Sequence, residues 1–241
     1  MEENVKRIIL GSLLGDGSLK INREYANARF AFRHSLIQKE YFFWKVNNLK
    51  SISSKKCFWQ QDDGKIRYQS LATKDLTELY HLTHKNGRLD VARKWLDLLT
   101  PLSLSVWWCD DGSLGRNTRQ GVICTDSFSK NNLIILLEYL QDKWGIKTRI
   151  SKCMKKYFRL YIDSPEQLKN FLRIILPYVP VENMLPKVIL LYRDLNLQQR
   201  WISEVCSLSK FPENTIMKYW KEKVLKRKDF RKRYSPSLMV T

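Results

Sequence analysis

The sequence has few cysteines and no arrangement that would give them a structural role. The five cysteines are odd in number, and no two of them form a Cys-x-x-Cys pair. This pattern argues against a disulfide framework and against a structural zinc site. We therefore expect reduced thiols that pack as small apolar side chains in an intracellular protein.

Long hydrophobic runs are also missing. The longest stretches, such as residues 133–137, are far too short to cross a bilayer. No signal peptide precedes the first apolar segment, which begins at Val5 and is interrupted by Lys6 and Arg7. We expect a soluble protein with no membrane partner, located where its gene is translated, in a bacterial or phage cytoplasm or in an organelle matrix.

Negative charge is scarce. The 241 residues include 24 Asp and Glu against 43 Lys and Arg, which gives a formal net charge of +19. A field of this strength attracts polyanions, either nucleic acid or an anionic membrane surface. The basic residues are spread over predicted strands and loops rather than along one amphipathic helix, which favours nucleic acid. With 44% hydrophobic residues, the chain can still bury a substantial core.

One helical segment that ends in Asp-Gly-Ser-Leu occurs twice. Residues 8–19 read IILGSLLGDGSL and residues 103–114 read SLSVWWCDDGSL, which places Asp16 and Asp111 95 positions apart. The segments that follow each copy also correspond, in the order helix, two strands, helix, two strands, helix. Two copies of this length indicate a duplication and predict an α+β fold of two pseudo-symmetric αββαββα half-domains.

The predicted strands alternate between apolar and basic residues. In residues 27–34, Phe30, Phe32 and His34 fall on one side, and Arg29 and Arg33 on the other. A sheet with an apolar back and a basic front fits a DNA groove, and the alternative is an ordinary solvated face. The residues that we predict to contact DNA are Lys20, Arg29, Arg33, Arg67, Gln69, Arg116, Arg119, Lys147, Arg149 and Arg159.

The two Asp-Gly motifs bring two carboxylates together if their helices pack side by side. Gly11 and Gly15 in the first helix, and the small residues at positions 105 and 109 in the second, allow a close approach. Asp16 and Asp111 would then lie at two adjoining negative helix ends and repel each other. A divalent cation such as Mg²⁺ would offset this repulsion and can activate water for phosphodiester cleavage. The alternative is that each Asp-Gly merely ends a helix.

Both motifs resemble the signature segments of the LAGLIDADG homing endonucleases, and the second half is especially similar to the monomeric, two-motif, intron-encoded members. The resemblance covers roughly residues 7–196 and includes the pair Thr100-Pro101, which opens the second motif helix. It implies that the motif helices form the interface between the halves and that two antiparallel sheets make a saddle over a long, near-unique DNA site. It also implies Mg²⁺-dependent cleavage of both strands across the minor groove, with short 3′ overhangs, by a monomer in which Asp16 and Asp111 bind the metal.

The family also tends to carry one basic residue near the active site in each half. Arg88 stands about where a Lys is common in the first half. In the second half Met184 takes the usual Lys position, and Lys187 is the candidate substitute three residues further on. The resemblance therefore implies catalytic roles for Arg88 and Lys187 beside the two acids. Asp110 falls where the family often has a small residue or a second acid, and we assign it no catalytic role.

The domain limits follow the repeat. We predict a first half over residues 1–98, a second half over 99–196 and a basic helical extension over 197–241. The extension is predicted to form a helix, a break near residues 209–212 and a second helix whose first turn suits Pro212. It is either a helix-turn-helix that adds DNA contacts or a basic tail, and its final SPSLMVT is expected to fray.

Other functions are open to the same fold. An intron maturase, which binds intron RNA and assists splicing, would use the same fold and charge. A transcription regulator without nuclease activity would be expected to have lost an acid, whereas both are present. A basic structural protein would leave the duplicated Asp-Gly-Ser-Leu unexplained.

Overall fold

The computed structural model describes residues 1–22, 26–115, 118–153 and 157–234 of the chain. The first half consists of α1 (Glu3–Leu13), β1 (Gly17–Lys20), β2 (Arg29–Ser35), α2 (Lys39–Asn48), β3 (Phe58–Gln60), β4 (Lys65–Gln69) and α3 (Lys74–Thr83). A connection contains β5 (His84–Lys85), β6 (Arg88–Leu89) and α4 (Arg93–Leu96). The second half consists of α5 (Pro101–Asp111), β7 (Gly112–Leu114), β8 (Gly121–Ile123), α6 (Lys130–Trp144), β9 (Arg149–Cys153), β10 (Tyr157–Ile162) and α7 (Pro165–Ile175). Two further helices follow, α8 (Leu195–Leu208) and α9 (Glu213–Tyr234).

Each half builds one four-stranded antiparallel sheet. The strand order is β1-β2-β4-β3 in the first half and β7-β8-β10-β9 in the second. The register repeats as well, because Gly17 pairs with Phe32 and Gly112 pairs with Ile123. The glycine after each motif aspartate thus begins the same edge strand of its sheet. The predicted α+β fold of two αββαββα halves is confirmed.

The sheets have one buried and one accessible face, as the alternation predicts. On β2, Phe30, Phe32 and His34 are buried, whereas Ala31 and Arg33 on the opposite face are accessible to solvent. The buried face packs against the helices of its half, so the polar face is left to line an open surface. This arrangement places the basic side chains of the sheet where a large ligand can reach them.

The helices α1 and α5 pack with their backbones in contact between the two halves. A Cβ atom on Gly11 would lie 2.3 Å from the carbonyl oxygen of Ser103, so glycine is needed for this approach. A capping box between Thr100 and Ser103 starts α5. Ser105, predicted as a contact position, instead donates to the carbonyl oxygen of Tyr178 in its own half. That part of the prediction was wrong, because the motif aspartates align position 11 with position 106.

The C-terminal helices pack on the second half. Trp201 on α8 is buried and donates a hydrogen bond to the carbonyl oxygen of Val188. Lys223 on α9 donates to the carbonyl oxygen of Pro186. The predicted helix, break and second helix are therefore present, and they form part of the folded body.

The predicted start of the extension, residue 197, lies within a helix. The helix α8 begins at Leu195, so the predicted boundary at residues 196 and 197 falls within its first turn. The final segment 235–241, predicted to fray, lies outside the described residues. Within the described residues, no helix is both long and apolar enough to span a membrane.

Candidate active site

The motif aspartates lie where the two central helices end. Asp16 stands between α1 and β1, and Asp111 is the last residue of α5. Burial, and then the charge of Asp110, raises the pKa of Asp16 from its ordinary 3.8 to about 6. Burial, and then the charges of Asp16 and Asp110, raises the pKa of Asp111 to about 7. The structure thus brings the two predicted metal ligands within electrostatic reach of each other, as the packing of their helices predicts.

The donor set fits a divalent cation. The Asp16 charge raises the pKa of Asp111, so the two carboxylates are unfavourable as a pair of anions, and a cation between or beside them removes that penalty. The Asp16 side chain remains 38% exposed, so an ion can reach it from solvent. Oxygen donors of this kind suit Mg²⁺, which binds through one or two carboxylates together with water or phosphate oxygens.

The Asp110 side chain is a buried hydrogen-bond acceptor. It is fully buried, and each of its carboxylate oxygens accepts two hydrogen bonds. Oδ1 receives the Tyr41 hydroxyl at 2.8 Å and the Lys45 ammonium at 2.7 Å. Oδ2 receives Lys45 at 2.8 Å and the backbone N–H of Asp16 at 3.3 Å. Asp110 therefore ties α2 of the first half to α5 and holds the backbone of Asp16.

His34 lies against both acids. Its side chain is 1% exposed, with Nδ1 3.4 Å from Asp16 Oδ2 and Nε2 3.9 Å from Asp110 Oδ1. Burial, and then the nearby charge of Lys45, lowers the pKa of His34 to about 3, so the ring is neutral at physiological pH. Sequence reasoning placed His34 on the apolar face of β2 and did not connect it with the motif.

Lys187 reaches the centre from the second half. Its ammonium group donates to the carbonyl oxygens of Cys109 and Asp110 at the end of α5. Its charge lowers the pKa values of both Asp16 and Asp111, and so opposes the effect of burial on them. The position predicted for Lys187, beside the acids, agrees with this geometry. Its catalytic role stays a prediction.

Arg88 has a different environment. It is exposed on β6, where it faces Lys85 across the short hairpin. In the first half, Lys45 supplies the buried positive charge beside the acids. Met184, which stands where the resemblance implies a Lys, is buried. A catalytic role for Arg88 stays a prediction that these contacts do not test.

Four of the predicted DNA contacts lie together on the open face of the first sheet. A cleft of about 310 Å³ runs along this face and includes Asp16 in its lining. Its polar and basic lining comes from adjacent strands. Trp59 on β3 also lines the cleft, is 44% exposed and pairs with Arg67 on β4. Arg29 lies beside this set and donates to Gln69 at 3.4 Å. The predicted residues in the lining are Lys20, Arg33, Arg67 and Gln69.

On the second sheet the predicted arginines carry carboxylate partners. Arg159 donates two hydrogen bonds to Asp126, at 2.8 and 2.7 Å. Arg149 donates two to Asp163, at 2.6 and 3.2 Å. Lys147 is exposed just before β9. The two sheets therefore present different surfaces, one with basic residues along an open cleft and one with Arg–Asp pairs.

Two predicted DNA contacts fall elsewhere. Arg119 is exposed in a separate cleft that it shares with Glu166, Lys169 and Glu204 on α7 and α8. Arg116 lies outside the described residues.

Asp111→Asn is expected to stabilise the protein in the absence of metal. Because the pKa of Asp111 is raised to about 7, the folded state binds this proton more tightly than the unfolded chain does. The stabilisation from this proton is fully present below the pKa that Asp111 has in the unfolded chain. It is lost as pH rises through the pKa that Asp111 has in the folded state. After a discount for solvent screening, we expect the variant to gain about 1–2 kcal/mol in the free energy of unfolding at pH 8, and almost nothing near pH 4. Thermal unfolding with EDTA at both pH values measures this difference.

Asp126→Asn is the matched control. The hydrogen bond from Arg159 lowers the pKa of Asp126, so removal of this charge should not stabilise the protein at pH 8. Equal effects of the two substitutions at pH 8 would contradict the raised pKa of Asp111.

Comparison with known proteins places this geometry in context. The sequence profile of the LAGLIDADG DNA endonuclease family matches residues 6–171. Protein RecA of Mycobacterium gastri is 30% identical over 186 residues, which are 71% of this chain and 44% of that protein. The cytochrome b mRNA maturase bI2 of Saccharomyces cerevisiae is 28% identical over 202 residues, 73% of this chain and 45% of that protein. The chain thus spans less than half of the length of these two relatives.

A shorter relative and one solved structure are covered more fully. The DNA endonuclease I-ChuI of Chlamydomonas applanata is 25% identical over 170 residues, 63% of this chain and 78% of that protein. The homing endonuclease I-WcaI, bound to its DNA recognition sequence, superposes with a TM-score of 0.69 at 20% identity, over 79% of this chain and 88% of that chain. At this level of identity the superposition establishes a shared fold.

Proposed function

Because the chain belongs to the LAGLIDADG DNA endonuclease family, we propose that it cuts both strands of a specific double-stranded DNA site by metal-dependent phosphodiester hydrolysis. The cut falls across the minor groove and leaves short 3′ overhangs. The observation that carries this proposal is the position of Asp16, which lies both beside Asp111 and in the lining of the basic cleft. DNA held in that cleft would have its backbone next to the acid pair.

Asp16 and Asp111 are the residues that would hold the metal ion or ions. When bound, a divalent cation such as Mg²⁺ would stabilise charge on the phosphate and make water a better nucleophile. The residues of the chain do the positioning. Asp110 fixes the backbone of Asp16, and Lys187 fixes the end of α5 next to Asp111.

The two sheets would read the DNA on either side of the cut. The cleft of the first sheet offers Arg and Gln side chains, which suit guanine and adenine edges in the major groove. The paired Arg149 and Arg159 on the second sheet are held in fixed orientations by their carboxylates, which suits directional hydrogen bonding to bases. Since one chain contains both motifs, a monomer should suffice for a double-strand cut.

Cleavage of a DNA library tests this function directly. The wild type, incubated with Mg²⁺ and randomised or intron-flanking duplexes, should give site-specific double-strand breaks. Asp16→Asn and Asp111→Asn should each reduce the cleavage rate at least about a hundredfold, since each removes a direct metal ligand. Asp142→Asn is the control, because this exposed acid pairs with Arg93 at the surface and should keep the wild-type rate.

An intron maturase is the second candidate, favoured by the similarity to the maturase bI2. Such a protein would bind structured RNA through its basic surface and would not need the acid pair for that step. Tight binding to an intron RNA, unaffected by Asp16→Asn and without any DNA cleavage by the wild type, would move this function to first place.

A further inference from the structure

The buried imidazole of His34 lacks a hydrogen-bond partner. Within the described residues, neither of its ring nitrogens makes a hydrogen bond, although the side chain is only 1% exposed. A buried ring with both nitrogens unsatisfied is costly, and such rings usually face a partner such as a metal ion or water. The Nδ1 atom points at Asp16, 3.4 Å from Oδ2.

The atoms around His34 are close enough to share one ion. Donor atoms of Asp16, His34 and Asp110 all lie within 4.8 Å of one another. Asp110 is a poor ligand in this set, because its two oxygens already accept four hydrogen bonds, two of them from Lys45. The pair available to an ion is therefore the exposed Asp16 carboxylate and the His34 ring nitrogen.

Asp110 lies where a carboxylate can support a metal-bound histidine. A histidine that binds a metal through one ring nitrogen usually directs the other toward a carboxylate, which fixes the ring. The Nε2 atom of His34 lies 3.9 Å from Asp110 Oδ1, whereas Nδ1 is the ring nitrogen next to Asp16. The Lys45 charge close to this ring is neutralised by the same carboxylate. A cation beside Nδ1 would thus meet a Lys45 charge that is already paired with Asp110.

We propose that His34 is a nitrogen ligand, together with Asp16, of the metal ion in the first half of the active site. The proposal rests on the metal-dependent function proposed above and adds a donor of a different kind. Imidazole nitrogen binds Co²⁺ or Zn²⁺ far better than Mg²⁺, which prefers oxygen, and Mn²⁺ accepts nitrogen more readily than Mg²⁺ does. This site therefore favours a transition metal over Mg²⁺.

In the described part of the second half, the position equivalent to His34 carries no metal-binding nitrogen. Because Gly17 and Gly112 pair with Phe32 and Ile123, the residue that corresponds to His34 on β2 is the one two positions after Ile123. That residue is Thr125, whose hydroxyl donates to the backbone at 2.8 Å. The metal preference of the site at Asp111 should therefore remain that of an oxygen-only site, and the two strands of DNA would be cut with different metal dependence.

Pulsed electron paramagnetic resonance of the full chain with Mn²⁺, in the absence of DNA, tests the nitrogen ligand. The wild type should show ¹⁴N modulation from a directly bound imidazole, replaced by the ¹⁵N pattern after labelling with ¹⁵N-histidine. The double variant His81→Gln/His84→Gln keeps His34 as its single histidine and should retain the signal. His34→Gln should lose it, and should bind Mn²⁺ about tenfold more weakly but Mg²⁺ almost as well as the wild type.

Several results would overturn the proposal. These are modulation that persists in His34→Gln, no modulation in the double variant, or equal losses of Mn²⁺ and Mg²⁺ affinity in His34→Gln. If His34→Gln does not fold, the wild type and the double variant still decide the matter. If the protein shows nitrogen coordination but cuts no DNA, His34 is a metal ligand and the proposed nuclease function is wrong. If it cuts DNA without nitrogen coordination, the nuclease function is supported and the proposal for His34 is wrong.

Discussion

Replacing Lys45 with Met is expected to lower the free energy of unfolding by about 3–5 kcal/mol, because it leaves the carboxylate of Asp110 buried and unpaired. Both side chains are fully buried, and the ammonium group lies 2.7 and 2.8 Å from the two carboxylate oxygens. For a chain of this length, such a loss should lower Tm by about 10 °C. Denaturant unfolding followed by tryptophan fluorescence measures the difference.

Lys65→Met is the matched control. Its ammonium group lies 3.5 Å from Asp63, but both partners are about 40% exposed, so the substitution should change stability by less than about 1 kcal/mol. The double variant Lys45→Met/Asp110→Asn removes both buried charges and should be at least about 1 kcal/mol more stable than the sum of the single effects indicates. If Lys45→Met is no less stable than Lys65→Met, the ion pair does not hold α2 to α5.

The repeat explains why so much of the fold could be predicted. The duplicated Asp-Gly-Ser-Leu fixes the order of elements twice, and the period-two alternation of β2 identifies its buried face. Both patterns can be read from the sequence itself, so they can be identified without knowledge of the tertiary contacts. The same reasoning places Asp16 and Asp111 at the ends of the two packed helices and Arg33 and Arg67 on one open face.

The supporting residues of the site could not be found in this way. Asp110 meets Tyr41 and Lys45, which are 69 and 65 positions away in the sequence, through the packing of α2 on α5. In the sequence, Lys45 looks like any solvent-exposed lysine of an amphipathic helix. It is buried because it contacts Asp110 of the other half. The position of His34 on a predicted core face was correct, but its approach to Asp16 depends on the register of β1 with β2.

The surface chemistry shows the same limit. Arg149 and Arg159 were predicted as basic residues that face DNA. Their ion pairs with Asp163 and Asp126 could not be predicted, because these contacts form only in the folded sheet. Trp59 on β3 pairs with Arg67 in the register of the sheet, a neighbour that the sequence alone did not reveal. Its place in the basic cleft suggests stacking or apolar contact with a base, in the manner of exposed aromatics on other nucleic-acid surfaces.

Gly11→Ala is expected to disturb the active site more than its size indicates. The added Cβ would lie 2.3 Å from the carbonyl oxygen of Ser103, an atom of the backbone that cannot rotate away. The helices α1 and α5 must then separate by about 1 Å to reach an ordinary carbon–oxygen contact. Overpacking of this kind costs about 1–3 kcal/mol in spite of the better helix propensity of alanine. Since Asp16 and Asp111 lie at the ends of these two helices, the spacing of the acids changes as well.

The cleavage rate should respond more strongly than stability to a change in the spacing of Asp16 and Asp111. A misplacement of about 1 Å between reacting groups can reduce a rate about a hundredfold, so Gly11→Ala should lose that factor in single-turnover cleavage at a temperature where it remains folded. Gly145→Ala is the control, because this residue ends α6 at a φ of +68° with open space around its Cβ. It should lose about 1 kcal/mol of stability through backbone strain while cutting DNA at the wild-type rate. Equal cleavage rates in the two variants would mean that the distance between the motif helices does not set the position of the acids, and the catalytic arrangement would then have to be held by the sheets.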